Sequence, residues 1–146
     1  MTNLAKCKLN LEFEFGRARD QFMVCVVAYN GLVFPLEIAA DQDHAMTQIT
    51  LHIELPCRIV LQLTGKQPND TVLDQNNCIV KDTYVKLSGV KIDDFKLNQI
   101  FLCQKVQLRT TGGQEIITNY FGFNGQVNLD FSKSSVMSQV LHCNRA

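Results

Sequence analysis

The fold is decided by one stretch, Ile49-Thr-Leu-His-Ile-Glu-Leu-Pro-Cys-Arg-Ile-Val-Leu-Gln-Leu63, in which every odd position is apolar. The positions between them are mostly polar: Thr50, His52, Glu54, Arg58 and Gln62. Successive side chains of an extended chain point to opposite sides, so a period of two predicts a strand with one buried face and one wetter face. A helix would spread the same apolar residues around its whole surface. We therefore expect a β-structure built around this stretch.

Pro56 lies inside this stretch and has no N–H group to donate to a sheet ladder. Two outcomes fit: one strand bends at Pro56 from one sheet into another, or two strands are separated there. We favour the bend, because the alternation keeps its phase across Pro56 and the neighbouring residues Leu55 and Cys57 do not form turns readily.

Similar patterns recur along the chain. Cys7 to Phe15 alternates and predicts a strand with one solvated face. Phe22 to Tyr29 is apolar on both faces and predicts a central strand, and Asn30-Gly31 after it predicts a hairpin turn. Tyr84 to Ile92 predicts a strand with a bulge at Gly89.

Further strands are predicted at Leu32 to Ile38, which Pro35 assigns to an edge or a bulge, at Ile100 to Leu108, at Glu115 to Phe121 and at Gln126 to Phe131. Thr64 to Asn77 is interpreted as a large polar loop, and Ser132 to Asn144 as a short C-terminal helix. About eight strands without a central helix predict an all-β fold, an antiparallel β-sandwich of jelly-roll type. A closed barrel is the alternative. Residues 1–146 are expected to form a single domain.

Charge and cysteine content narrow the function classes. The 146 residues contain 14 basic and 14 acidic side chains, so we expect no nucleic-acid partner. No segment approaches the ~20 apolar residues of a membrane span, and the N-terminus has no signal-peptide pattern. The six cysteines are scattered without a C-x-x-C pair, which argues against zinc or redox motifs. We expect reduced thiols in a protein made in the cytoplasm.

The sequence contains no phosphate-binding glycine loop, no H-E-x-x-H and no G-x-S-x-G. Loop oxygens are the clearest remaining candidates, because calcium accepts ~6–8 oxygen ligands in irregular geometry. The candidate calcium ligands are Asp70, Asp74, Asn76, Asp82, Asp93 and Asp94. Asp and Asn also form turns and caps, which is the alternative interpretation of the same residues. The candidate ligand-binding residues are His52, Glu54, Tyr84, Asn119, Tyr120 and Asn124.

Two segments carry a resemblance to known proteins: Asp82-Thr-Tyr-Val-Lys-Leu-Ser-Gly-Val-Lys-Ile-Asp-Asp-Phe95 and Thr118-Asn-Tyr-Phe-Gly-Phe-Asn-Gly-Gln-Val-Asn-Leu-Asp-Phe131. Their strand and turn patterns resemble small β-sandwich accessory proteins of tailed bacteriophages. The resemblance implies a fold like that of carbohydrate-binding modules and a role as a virion accessory or adhesion protein. The chain has no Trp, in which it departs from typical sugar-binding modules.

These observations predict a non-catalytic binding or assembly module, either a phage virion-associated or a glycan-binding protein, with protein partners or a glycan. No cofactor is required, although calcium is a candidate. The first alternative is a purely structural homo-oligomer that uses exposed strand edges. The second is a glycan hydrolase, which needs a cleft in which His52 or His44 meets carboxylates.

Overall fold

The computed structural model describes residues 6–19, 21–38, 43–93, 95–96, 107–110, 115–116 and 120–131. Within these ranges the chain forms thirteen β-strands and no helix. The strands are β1 (Lys6–Gly16), β2 (Val24–Tyr29), β3 (Leu32–Pro35), β4 (His44–Glu54), β5 (Cys57–Thr64), β6 (Thr71–Leu73), β7 (Ile79–Asp82), β8 (Tyr84–Ile92), β9 (Phe95–Lys96), β10 (Gln107–Thr110), β11 (Glu115–Ile116), β12 (Tyr120–Phe121) and β13 (Gly125–Phe131). In the part of the chain so described, no helix has the length and apolar character of a membrane span.

The strands form two main sheets and a separate hairpin, and all their pairings are antiparallel. Sheet A has the order β12-β8-β1-β4, with β9 also paired to β8. Sheet B has the order β11-β10-β13-β5-β2-β3, and β6 pairs with β7 alone among the described strands. The predicted all-β antiparallel sandwich is confirmed. The jelly-roll connectivity stays a prediction, because several connections run through residues outside the described ranges.

The chain passes from sheet A to sheet B at Pro56. Strand β4 ends at Glu54 in sheet A, β5 begins at Cys57 in sheet B, and the Leu55–Pro56 peptide between them is cis. The alternation continues through this corner, because odd-numbered apolar residues are buried both before and after Pro56: Leu51, Ile53, Leu55, Ile59, Leu61 and Leu63. The stretch therefore contributes to one core from both sheets. The predicted change of sheet at Pro56 is confirmed, but the chain makes it as two separate strands, β4 and β5, rather than as one bent strand.

The predicted turn at Asn30-Gly31, the edge strand with Pro35 and the bulge near Gly89 are also present. Asn30 and Gly31 adopt φ values of 51° and 78° in the turn between β2 and β3, and β3 with Pro35 forms an edge of sheet B. Strand β8 has the predicted bounds. Its pairing with β1 shifts near Gly89, where Ser88 is the extra residue of a bulge.

The buried side chains form one cluster between the sheets. Strand β1 contributes alternate residues from Cys7 to Phe15, and β13 contributes Val127, Leu129 and Phe131. The even residues of β1, among them Lys8 and Glu12, point away from this cluster. The outer face of sheet A is therefore polar.

One predicted loop is wrong in part. Residues 64–77 include β6, which pairs with β7 across a turn in which Asn77 has a φ of 62°. The apolar residues Val72 and Leu73 are enough for a short strand once Ile79 lies opposite Leu73. Short pairings of this kind also explain why the described strands outnumber the predicted ones. The predicted C-terminal helix lies outside the described residues.

Candidate functional site

The predicted binding residues lie at the two ends of the outer face of sheet A. His52 and Glu54 are near the last residues of β4, and Tyr84 and Tyr120 lie at the opposite end, in β8 and β12. Strand β4 contains 11 residues, so at ~3.4 Å per residue the two ends are about 30 Å apart. Asn119 lies outside the described residues.

The first end contains a groove of about 740 Å³ beside the Pro56 corner. We call it the corner groove, and its main lining residues are Lys6, Lys8, Tyr29, His52, Glu54 and Asp93. The β1–β4 register explains this grouping, because Lys6 lies opposite Glu54 and Lys8 opposite His52. Asn30, from the β2–β3 turn, completes the rim.

Backbone hydrogen bonds fix the walls of the corner groove. The N–H group of Glu54 donates to the Tyr29 hydroxyl at 3.1 Å, which ties β2 of sheet B to the end of β4. The N–H group of Lys8 donates to Oδ1 of Asp93 at 2.9 Å. With respect to other described residues, the charged groups of Lys6, Lys8 and Glu54 form no ion pair. The groove thus offers ammonium donors and a carboxylate acceptor to a ligand.

The second end carries a group that we call the tyrosine cluster, formed by His44, Tyr84 and Tyr120. The rings of Tyr84 and Tyr120 are stacked, with centroids 4.6 Å apart and planes 25° apart. His44 lies on the other side, with its ring centroid 6.4 Å from that of Tyr84. Gly16 makes room for this arrangement, because a Cβ atom on Gly16 would be 2.6 Å from Cζ of Tyr84.

Both tyrosine hydroxyls donate hydrogen bonds to carboxylates. Tyr84 donates to Oε2 of Glu14 at 2.9 Å, and Tyr120 donates to Oδ2 of Asp82. Burial, followed by the hydrogen bond to Glu14, raises the pKa of Tyr84 to about 12. Burial and the bond to Asp82 also raise the pKa of Tyr120. Both phenols therefore remain protonated donors at neutral pH, and their rings are held in place.

Asp82 joins the tyrosine cluster to the β6–β7 hairpin. Its Oδ1 accepts hydrogen bonds from Nζ of Lys66 and Oγ1 of Thr71, each at 2.7 Å. Nζ of Lys66 also donates to the carbonyl of Gly122 at 2.8 Å. Burial tends to raise the pKa of Asp82, but the hydrogen bonds from Lys66, Tyr120 and Thr71 outweigh it and the pKa is lowered. This ion pair is partly buried and has a structural role.

The predicted ligand Asn124 is also engaged in the fold. Its Oδ1 accepts from the backbone N–H of Lys66 at 2.9 Å, and its Nδ2 donates to the Lys66 carbonyl at 2.8 Å. These two bonds clamp the chain that follows β5 to the turn before β13. The side-chain amide of Asn124 therefore organises a turn near the tyrosine cluster.

The candidate calcium ligands do not converge. Asp70, Asp74, Asn76 and Asp82 belong to the β6–β7 hairpin and its base, Asp93 lies at the far end of β8, and Asp94 is outside the described residues. Asp74 Oδ1 accepts from the N–H groups of Asn76 and Cys78, and Asp70 Oδ2 accepts from that of Gln67. Among the described residues, no three His, Cys, Asp or Glu side chains form a group that could hold a metal ion. Calcium binding stays a prediction.

No protein-family model, curated protein or solved structure matches this chain. The resemblance to phage proteins stays a prediction.

Sequence reasoning missed Lys6 and Lys8 as site residues. It considered Tyr29 only as one of several aromatic side chains that could stack on a sugar, and His44 only for the hydrolase alternative. The alternation from Cys7 to Phe15 placed Lys8 on the polar face, but only the β1–β4 register places Lys8 opposite His52 and Lys6 opposite Glu54. Tyr29 reaches the corner groove from the other sheet, and no local pattern indicates this.

Proposed function

We propose that the protein is a non-catalytic binding module, either a phage virion-associated or a glycan-binding protein, and that it holds a glycan in the corner groove. One observation carries the proposal: the groove combines Lys6, Lys8 and Glu54, whose charged groups have no ion-pair partner among the described residues. Sugar hydroxyls both donate and accept hydrogen bonds, so they suit a site with ammonium donors and a carboxylate acceptor. Such charge-assisted bonds are stronger than neutral ones.

The balance of charge supports a neutral polar ligand. The groove contains two lysines and the carboxylates of Glu54 and Asp93, and the chain has a net charge of zero. A nucleic-acid site would need an excess of cations to displace the counterions of the phosphates. The half-buried ring of Tyr29 adds an apolar surface on which the carbon face of a sugar can pack.

The test is a glycan array, probed with the protein with and without a chelator. Wild type is expected to bind a set of neutral glycans, and Glu54→Gln to lose at least about tenfold in affinity, the effect of about 1.4 kcal/mol. Glu37→Gln is the matched control, because Glu37 is exposed and lies outside the groove. Assay of the incubated glycans for new reducing ends separates binding from hydrolysis. Equal binding by both variants would contradict the proposed site.

A second candidate function, assembly, is favoured by the β6–β7 hairpin. It exposes four aliphatic side chains: Val72 (36%), Leu73 (49%), Ile79 (63%) and Val80 (61%). Leu73 and Ile79 lie directly opposite each other in the hairpin, and an exposed apolar pair of this kind is a candidate protein–protein contact. Light scattering of wild type and Ile79→Lys tests it. A concentration-dependent oligomer that Ile79→Lys dissociates supports assembly through the hairpin, and a strict monomer contradicts it.

A further inference from the structure

Polar side chains connect the two ends of the outer face of sheet A. Between the corner groove and the tyrosine cluster, β1 presents Asn10, Glu12 and Glu14 on this face, and β4 presents Thr50, Gln48 and Met46 opposite them. Thr50, Gln48 and Met46 are exposed. The two strands therefore form a continuous track, polar except at Met46, rather than two isolated sites.

A second depression lies on this track. It has a volume of about 210 Å³ and is lined by Glu12, Met46, Thr47 and Gln48. The corner groove, this depression and the tyrosine cluster follow one another along β4, over about 30 Å at ~3.4 Å per residue. The shape suits a long, narrow ligand that runs parallel to the strands.

The charges of this face select the chemistry of the ligand. Five lysines and four carboxylates share it: Lys6, Lys8, Lys86, Lys91 and Lys96 with Glu12, Glu14, Glu54 and Asp93. Lys91 lies 3.7 Å from Glu12, so part of the charge is already compensated. Five lysines against four carboxylates leave one net positive charge, which gives only a weak attraction to nucleic acid or to an acidic polymer.

The small number of exposed apolar side chains on this face argues against a protein partner. Among the exposed large apolar side chains of the described residues, the face carries only Met46 (65%) and Tyr120 (38%). Protein–protein contacts centre on a patch depleted of charge. An uncharged polymer with many hydroxyl groups fits better, because it can pair with alternating donors and acceptors and can pack on Tyr120 and His44.

We propose that the outer face of sheet A is one extended site for a linear, uncharged polysaccharide, which runs along β1 and β4 from the corner groove to the tyrosine cluster. The proposal rests on the proposed function and adds to it the length, the direction and the charge of the ligand.

The test is isothermal titration of the full chain with cello-, manno- and laminari-oligosaccharides, each series running from the disaccharide to the octasaccharide. Affinity is expected to rise at least about tenfold with length within the series that binds. Glu54→Gln should weaken short and long chains alike. His44→Ala and Tyr120→Ala should weaken only long chains, and His44→Ala changes an exposed side chain, so it keeps the test valid if Tyr120→Ala misfolds.

Each outcome distinguishes the two proposals. Binding that is independent of length, or unaffected by His44→Ala and Tyr120→Ala, overturns the extended site and leaves the groove as the binding site. Tighter binding of a polyuronate, a nucleic acid or an extended peptide overturns the assignment to an uncharged polysaccharide. Failure of every glycan to bind overturns the proposed function together with this inference.

Discussion

Gly16→Ala is the substitution that most directly perturbs the tyrosine cluster. A methyl group at this position would be 2.6 Å from Cζ of Tyr84, so the ring has to move off β1. The backbone of Gly16 does not have a positive φ, and alanine adds no backbone strain there. The perturbation therefore falls on the ring of Tyr84, which stacks on Tyr120 and bonds to Glu14.

The expected loss follows from these two contacts. An aromatic pair contributes about 0.5–1.5 kcal/mol beyond its burial. A hydrogen bond to a charged group contributes about 1.5–3 kcal/mol, and the partly exposed Tyr84–Glu14 bond belongs at the low end of this range. A ring that moves keeps part of the stacking on Tyr120 and part of the hydrogen bond to Glu14. We therefore expect a loss of about 2 kcal/mol in the free energy of unfolding, within the range of about 1–3 kcal/mol for overpacked sites.

Urea unfolding at neutral pH measures this loss, and Gly89→Ala is the matched control. A Cβ atom at Gly89 would meet Oε2 of Glu12 at 2.7 Å, which is the far end of a flexible side chain that can turn into solvent. Both substitutions reduce the conformational entropy of the unfolded chain equally. The difference between their free energies of unfolding therefore isolates the effect on the ring of Tyr84. Gly89→Ala should stay within about 0.5 kcal/mol of wild type. Equal stabilities of the two variants would refute the packing of Tyr84 over Gly16.

Three further predictions concern the hairpin base and the thiols. Lys66→Met leaves the partly buried carboxylate of Asp82 without its cation and should cost about 1–3 kcal/mol in urea unfolding. Lys81→Met, which removes an exposed lysine from the same hairpin, should cost less than about 0.5 kcal/mol. The pKa of Asp82 is lowered in the folded state, so its contribution to stability is present above about pH 4 and is lost as the pH falls through the lowered pKa. The difference in free energy of unfolding between wild type and Asp82→Asn should therefore shrink in acid. A difference that widens in acid would contradict the lowered pKa. Iodoacetamide treatment of the folded protein, followed by mass spectrometry, should label exposed Cys78 well before Cys25, for which burial raises the pKa to about 12; labelling of both at one rate would contradict this burial.

Much of the fold follows from local sequence patterns. The period of two from Ile49 to Leu63 identifies a buried face without any knowledge of partners, and Pro56 marks the corner because it lacks an N–H group. Asn30-Gly31 identifies its hairpin because both residues accept positive φ. The β6–β7 hairpin escaped prediction because its strands are too short for a period to emerge.

The site is less predictable because it depends on pairings between distant segments. His52 and Glu54 share one face by alternation, yet Lys8 reaches them only through the β1–β4 register. Tyr120 meets Tyr84 because β12 pairs with β8, and no local signal specifies that pairing. An acidic loop residue such as Asp74 has the same sequence signal whether it caps a turn or binds a metal ion, and here its carboxylate accepts backbone N–H groups.

The most direct test of glycan binding at the corner groove is an NMR titration of isotope-labelled wild type with the oligosaccharide series. If a glycan binds in the corner groove, the amide shifts of the lining residues Lys6, Lys8, His52 and Glu54 should change in a saturable way. Longer chains should extend the changes along β4 toward His44. Changes confined to the outer face of sheet B, or no change with any oligosaccharide, would contradict binding at the corner groove.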